Sequence, residues 1–236
     1  MVLGFGGLLL GRAFSALGLN PTPSPPTASS GLSGSSPSTP PAPREISAGD
    51  RSLMGLADAG SKAAPPLSLS AGPGLPLSLA EFSGKVVVVT FFDAPCDDIC
   101  PIMASEISSA DAALGSSAGR VEFVTVDSDP LAVQKWPSAV RIFAGRPTPS
   151  NWTFASGTLQ ELNRAWTDYG ITVDVYRPSG RVTHNDRMYF IDPNGRLRYL
   201  STPYANETSS GRYTLAPGLI SRWGHAIAGV ADGLLR

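Results

Sequence analysis

Two short apolar runs, Val86 to Phe92 and Val121 to Val126, limit the folds open to this chain more than any other feature. Each is too short for a helix and lacks polar alternation, which suits central strands covered on both faces. Between them Ile102, Met103, Ile107, Ala110 and Leu114 recur at helical spacing. Strand, helix and strand with short connections predict a right-handed parallel unit. Ligands in such sheets gather beyond the carboxyl ends of the parallel strands, and Cys96 follows the first run almost at once.

The flanking sequence extends this unit. Scattered leucines around Pro73 and Gly74, from Leu67 to Phe82, predict an entry hairpin. Thr158 with Glu161 three residues on is a capping box, followed by Leu159, Leu162, Ala165 and Trp166, with Gly170 as the stop. Arg187 to Asp192 and Leu197 to Ser201 flank the turn Pro193-Asn194-Gly195, which predicts a second hairpin. Ile220, Trp223, Ile227, Val230 and Leu234 mark a closing amphipathic helix starting near Pro217. The fold class expected is α/β, a central mixed sheet flanked by helices, over residues 67–236.

The first third reads differently. Of the 22 prolines, eight fall between Pro21 and Pro43, and no charged residue lies between Arg12 and Arg44. Such a stretch has too little apolar surface to offset a backbone ordering entropy of roughly 1–2 kcal/mol per residue. Residues 20–66 are therefore expected to form a disordered linker, reaching on the order of 70 Å through its proline-rich part at about 3.1 Å per residue. Residues 1–19, apolar apart from Arg12, are expected to be a targeting segment or membrane anchor. A net charge of -1 offers nothing to neutralise a phosphate backbone, so nucleic acid is not an expected partner.

Only two cysteines are present, too few for a secreted disulfide scaffold. Pro101 is tolerated only near a helix start, which places Cys100 at that start and Cys96 on the preceding loop. Unpaired N–H groups there carry about half a positive charge and favour thiolate, so both sulfurs are expected to be nucleophilic or good ligands. Asp98 reads as a hydrogen-bond acceptor at the helix start. Residues four apart across a helical turn stand about 5–6 Å apart at Cβ, whereas a relaxed disulfide wants about 3.5–4.5 Å. The spacing leaves open both a disulfide after loop adjustment and chelation of a soft ion such as Cu(I) or zinc.

The string Gly84-Lys85, Phe91-Phe92 and Cys96-Asp97-Asp98-Ile99-Cys100-Pro101 resembles the Sco/SenC family of thioredoxin-like copper-binding assembly factors for cytochrome oxidase. Val126-Asp127-Ser128-Asp129-Pro130, Trp152-Thr153-Phe154 and Gly157 resemble further family segments. The family's copper histidine lies shortly before a Met-Tyr strand and an Asp-Pro-x-Gly turn, and His184 precedes Met188-Tyr189 and Asp192-Pro193-Asn194-Gly195 at that spacing. Where the family has Asp directly before this histidine the chain has Thr183, with Asp186 nearby as a substitute, and Asp97 replaces a proline between the cysteines. His225 falls on the polar side of the last helix and is set aside.

The resemblance implies a site of Cys96, Cys100 and His184, supported by Asp98, Pro101 and Asp186, that takes up copper as Cu(I) or Cu(II). It implies delivery of copper to the copper-bearing subunit of cytochrome c oxidase, with reduction of that subunit's cysteines by the same dithiol. Its other partners are a second copper chaperone or a thiol reductant, and a membrane through the N-terminal segment. The domain is expected on the non-cytoplasmic side, in a bacterial periplasm or at the cell surface, or else at a mitochondrial inner membrane. None of this is turnover of a small substrate, and no catalytic residue is assigned. Two alternatives stand: a metal-independent thiol-disulfide oxidoreductase, and a redox-inert tethered interaction domain.

Overall fold

The computed structural model of the chain describes residues 46–93, 96, 99–131, 148–216 and 218–236. Helix α1 is Ala48–Met54, capped by the Ser47 hydroxyl accepting from the Asp50 N–H at 3.0 Å. Strand β1 (Ala57–Ala63) is followed by the hairpin β2 (Ser68–Gly72) and β3 (Leu75–Ser78). Then come β4 (Val86–Phe92), α2 (Cys100–Leu114), β5 (Val121–Asp127), β6 (Trp152–Ala155) and α3 (Leu159–Tyr169). A hairpin of β7 (Val173–Tyr176) and β8 (Arg181–His184) precedes β9 (Met188–Ile191) and β10 (Arg196–Ser201). A two-residue ribbon, β11 (Asn206–Glu207) and β12 (Tyr213–Thr214), leads to the closing helix α4 (Leu219–Leu234).

One six-stranded sheet runs in the order β1-β10-β9-β4-β5-β6. β4, β5 and β6 are parallel, and β9, β10 and β1 are added antiparallel. The mixed sheet is the expected one, and the reason lies in β4, every residue of which is buried. Val86, Val88 and Phe92 pack on one face against α2 and α4, while Val87, Val89 and Phe91 pack on the other against Leu162, Trp166 and Tyr169 of α3. Thr90 is admitted to this core because its hydroxyl meets that of Thr125 at 2.8 Å, and Thr125 also accepts from Trp152 Nε1 at 2.8 Å.

Helix α3 has the capping box expected of it: Thr158 Oγ1 accepts from the Glu161 N–H, and the Glu161 carboxylate accepts from the Thr158 N–H at 2.8 Å. Gly170 closes it in the left-handed region at φ 65. The segment before residue 67 corrects the reading of 20–66 as linker throughout. Within it α1 forms, and β1 pairs with β10 from Ala57 opposite Leu200 to Ala63 opposite Arg196. β1 is an edge strand of small and polar residues, nearly all exposed. It is held by ladder hydrogen bonds rather than apolar burial, so no hydrophobic pattern announces it. Residues 1–45, which carry the expected anchor and most of the expected tether, lie outside the described residues. Among those described, no helix is long and apolar enough to cross a membrane.

α2 and α4 touch where Ser109 meets Gly224. A Cβ on Gly224 would overlap the Ser109 side chain and stand 2.8 Å from its backbone carbonyl carbon. Because backbone must move to relieve this contact, Gly224→Ala is expected to cost about 2–3 kcal/mol, or roughly 5–10 °C in Tm. Thermal unfolding of the variant measures it; an unchanged Tm would mean that the helices part freely.

Candidate functional site

The site is built where β4 ends. The chain leaves Phe92 through the buried Asp93, reaches Cys96, whose N–H donates to the Asp93 carbonyl at 3.0 Å, and enters α2 at Cys100. Ile99 is the cap residue and offers no side-chain acceptor; its carbonyl instead receives the Ile102 and Met103 N–H groups at 2.9 and 3.1 Å. Pro101 occupies the second helical position, where its missing N–H costs nothing. Asp97 and Asp98 lie outside the described residues, so the supporting role expected of Asp98 is without a structural counterpart here.

Both cysteines are free thiols. Cys96 is half-buried, whereas Cys100 is 1% exposed. The hydrogen bond between the two side chains pushes the Cys100 thiol well above its ordinary range. Burial and the charge of Cys96 add to the rise, a backbone hydrogen bond with Asp93 opposes it, and the carboxylate of Asp186 adds a little more. This reverses the expectation of an ionised Cys100. Partial helix charge at the first turn is outweighed by a second sulfur in contact and by the loss of water. With its proton held this firmly, Cys100 ionises most readily when a positive charge takes the proton's place.

Asp186 comes to the same end of the sheet through strand register. Thr90 of β4 stands opposite Met188 of β9, and Asp186, two residues before Met188, is close enough for its charge to act on Cys100. Its side chain is 20% exposed, and its Oδ1 lies 3.7 Å from His184 Nδ1. Burial raises the Asp186 carboxyl above its ordinary value, and the His184 ring offsets part of the rise. The His184 side chain is only 6% exposed, so it is not a solvated loop residue. It ends β8, where it stands opposite Val173 of β7. His225, by contrast, is exposed on α4 with its Nδ1 2.7 Å from the Ser221 carbonyl oxygen.

The structure thus brings Cys96 against Cys100, sets Asp186 within electrostatic reach of Cys100, and sets His184 beside Asp186. It does not gather the three expected ligands into one cluster: among the described residues, no group of three or more His, Cys, Asp and Glu is arranged to hold a metal ion. The donor set nevertheless suits a soft ion, since two sulfurs and an imidazole favour copper over hard cations. Three features of the neighbourhood escaped the sequence reading. Asp93 contacts both cysteines through its backbone. Asp127, at the end of β5, is buried and pushed up to about 7, although it accepts from the Asp129 N–H and the Ser156 hydroxyl. Asn185 ties His184's segment to α3.

A family model described as SCO1/SenC matches residues 57–212, from the start of β1 to the turn between β11 and β12. The chain belongs to the SCO1/SenC family. Its thioredoxin-like sheet also resembles solved structures of SCO1/SenC proteins. Copper-bound ScoI from Bradyrhizobium japonicum is 20% identical with a TM-score of 0.54, covering 73% of this chain and 99% of that one. Apo Sco1 from Thermus thermophilus is 22% identical with a TM-score of 0.54, covering 77% and 94%. A SCO1/SenC family lipoprotein from Bacillus anthracis is 22% identical with a TM-score of 0.51, covering 61% and 86%. At these identities the likeness is one of fold. No curated protein matches the sequence.

Proposed function

We propose that this SCO1/SenC protein is a copper metallochaperone that carries copper on Cys96, Cys100 and His184 and delivers it to the copper-bearing subunit of cytochrome c oxidase. The observation that carries the reading is the contact between the two thiols at the start of α2, with the Cys100 proton held tightly and Asp186, the neighbour of His184, within electrostatic reach. A pair of sulfurs in contact, one of them buried, ionises fully only when a cation replaces the protons, so metal uptake releases protons and requires the reduced pair. Closing His184 onto the sulfurs takes a movement of its hairpin or of the cysteine loop. A related protein solved with copper bound supports the choice of metal. The copper is cargo, passed on by ligand exchange to a recipient dithiol. A second copper chaperone supplies it.

The same residues support thiol-disulfide exchange with the recipient. The half-exposed Cys96 attacks one sulfur of a partner disulfide, forming a mixed disulfide and releasing a partner thiolate. Cys100 then attacks Cys96, leaving a Cys96–Cys100 disulfide and a reduced partner; two electrons have moved, and a thiol reductant resets the pair. A second reading, an oxidoreductase that never binds metal, is favoured by the absence of a ready three-ligand cluster among the described residues. The domain would work outside the cytoplasm, tethered to a membrane, as the name of the Bacillus anthracis lipoprotein suggests for that relative.

The readings separate on one titration of the reduced chain with Cu(I) against a competing chelator. One-to-one binding weakened at least tenfold by His184→Ala supports the chaperone. Dithiol reactivity with no copper binding would establish the oxidoreductase instead.

A further inference from the structure

His184 sits on a hairpin separate from the six-stranded sheet. Among the described residues β7 and β8 pair only with each other, so no ladder of backbone bonds sets the hairpin's angle to β4. Val173 of β7 packs on the core beside α3, and the polar tie is a side chain. Asn185 Nδ2 donates to the Gly170 carbonyl at 3.1 Å, and Asn185 Oδ1 accepts the Thr172 N–H at 2.7 Å. Gly170 is the left-handed cap of α3, and its own N–H turns back to the Thr167 and Trp166 carbonyls. Helix ends leave their last carbonyls without helical partners, and the segment after His184 fills two of them: Asn185 takes that of Gly170, and the Tyr189 hydroxyl donates to that of Tyr169.

An amide suits this place because one planar group carries both donor and acceptor. A carboxylate would meet the Gly170 carbonyl with no proton to give, and a hydroxyl is too short to span both contacts. The clamp also bears on the ring. His184 Nδ1 lies 3.4 Å from the Asn185 carbonyl oxygen and 3.7 Å from Asp186 Oδ1, so Nδ1 faces the clamped segment and Nε2 is left as the donor atom for a ligand.

We propose that Asn185 is a positioning residue for His184, its amide clamp on the end of α3 holding the hairpin and fixing Nε2 as the atom offered to the cargo. The proposal rests on the copper reading. It adds a residue that acts on the metal only through the imidazole.

The test is a double-mutant cycle of Asn185→Ala and His184→Ala in the full reduced chain. It is read by Cu(I) affinity against a chelator and, without copper, by the nitrogen-15 ring signals of His184. Partners that orient a ligating histidine change affinity by about 10–100-fold. Asn185→Ala is therefore expected to weaken Cu(I) binding about tenfold, to do nothing further once His184 is alanine, and to turn one ring tautomer into an average of two. Asn185→Asp, which keeps the acceptor for Thr172 and loses the donor, is expected to fall between. Unchanged affinity and ring signals in Asn185→Ala, or an equal loss in the His184→Ala background, would overturn the proposal. A wild-type chain that binds no Cu(I) would instead overturn the copper reading, with the apo ring signals still deciding the clamp. If the alanine variant fails to fold, the aspartate variant decides on the same two readouts.

Discussion

Replacing Cys96 and Cys100 together by serine will remove tight Cu(I) binding, with a loss well beyond the roughly 100-fold that an outer partner of a ligand can account for. Serine keeps nearly the same shape and still forms hydrogen bonds, so the domain should fold; what it lacks is a soft, ionisable atom. The single variants should differ. Cys96→Ser removes the neighbour whose hydrogen bond is the largest cause of Cys100's resistance to ionisation, leaving one buried thiol. Cys100→Ser leaves the half-exposed Cys96 open to small alkylating agents. Chelator competition and mass-resolved alkylation measure both effects. Retention of nanomolar or tighter copper binding by the double variant would place the metal elsewhere.

The second large effect lies outside the site. Glu106 on α2 is fully buried, neither carboxyl oxygen has a hydrogen-bond partner, and burial raises its pKa from 4.5 to about 8. An acid raised in the folded state keeps its proton there while the unfolded chain gives it up. Stability from this group is therefore intact below about pH 4.5, falls between there and about pH 8, and is lost above. At about 1.4 kcal/mol per unit of pKa, the total is on the order of several kcal/mol. Glu106→Gln and Glu106→Met should match the wild type near pH 5, exceed it by that amount above pH 8, and show a flatter pH profile. Urea unfolding at the two pH values measures the difference. Parallel profiles for wild type and variants would show that Glu106 finds a partner in solution.

How far the sequence carried the fold depends on how each element is held. β4 and β5 were legible because burial on both faces leaves mainly apolar, β-branched and aromatic runs, and α3 because its caps are local signals at Thr158, Glu161 and Gly170. The turn after β9 was legible from Asn194-Gly195, where Gly195 takes φ 73. β1 was not, since its polar residues are held by β10 alone. The β7–β8 hairpin was missed because its alternation is shallow, with half-buried Val173 and Val175 beside exposed Asp174 and Tyr176.

The site divides the same way. The cysteine pair could be placed from Pro101 and spacing, but the state of Cys100 could not, because a sulfur contact and burial outweigh the helix end. His184 could be singled out only by resemblance. What sets its ring is an amide contact between residues 185 and 170, a pairing that no local pattern records.

Copper delivery by this site requires that one ion be held by both sulfurs and the imidazole. X-ray absorption of the one-to-one Cu(I) complex, compared with that of His184→Ala, tests this. Two sulfur scatterers and one imidazole nitrogen in the wild type, with the nitrogen lost in the variant, is the result expected. Two sulfurs alone, identical in both proteins, would contradict the account and leave a dithiol to which His184 is only a neighbour.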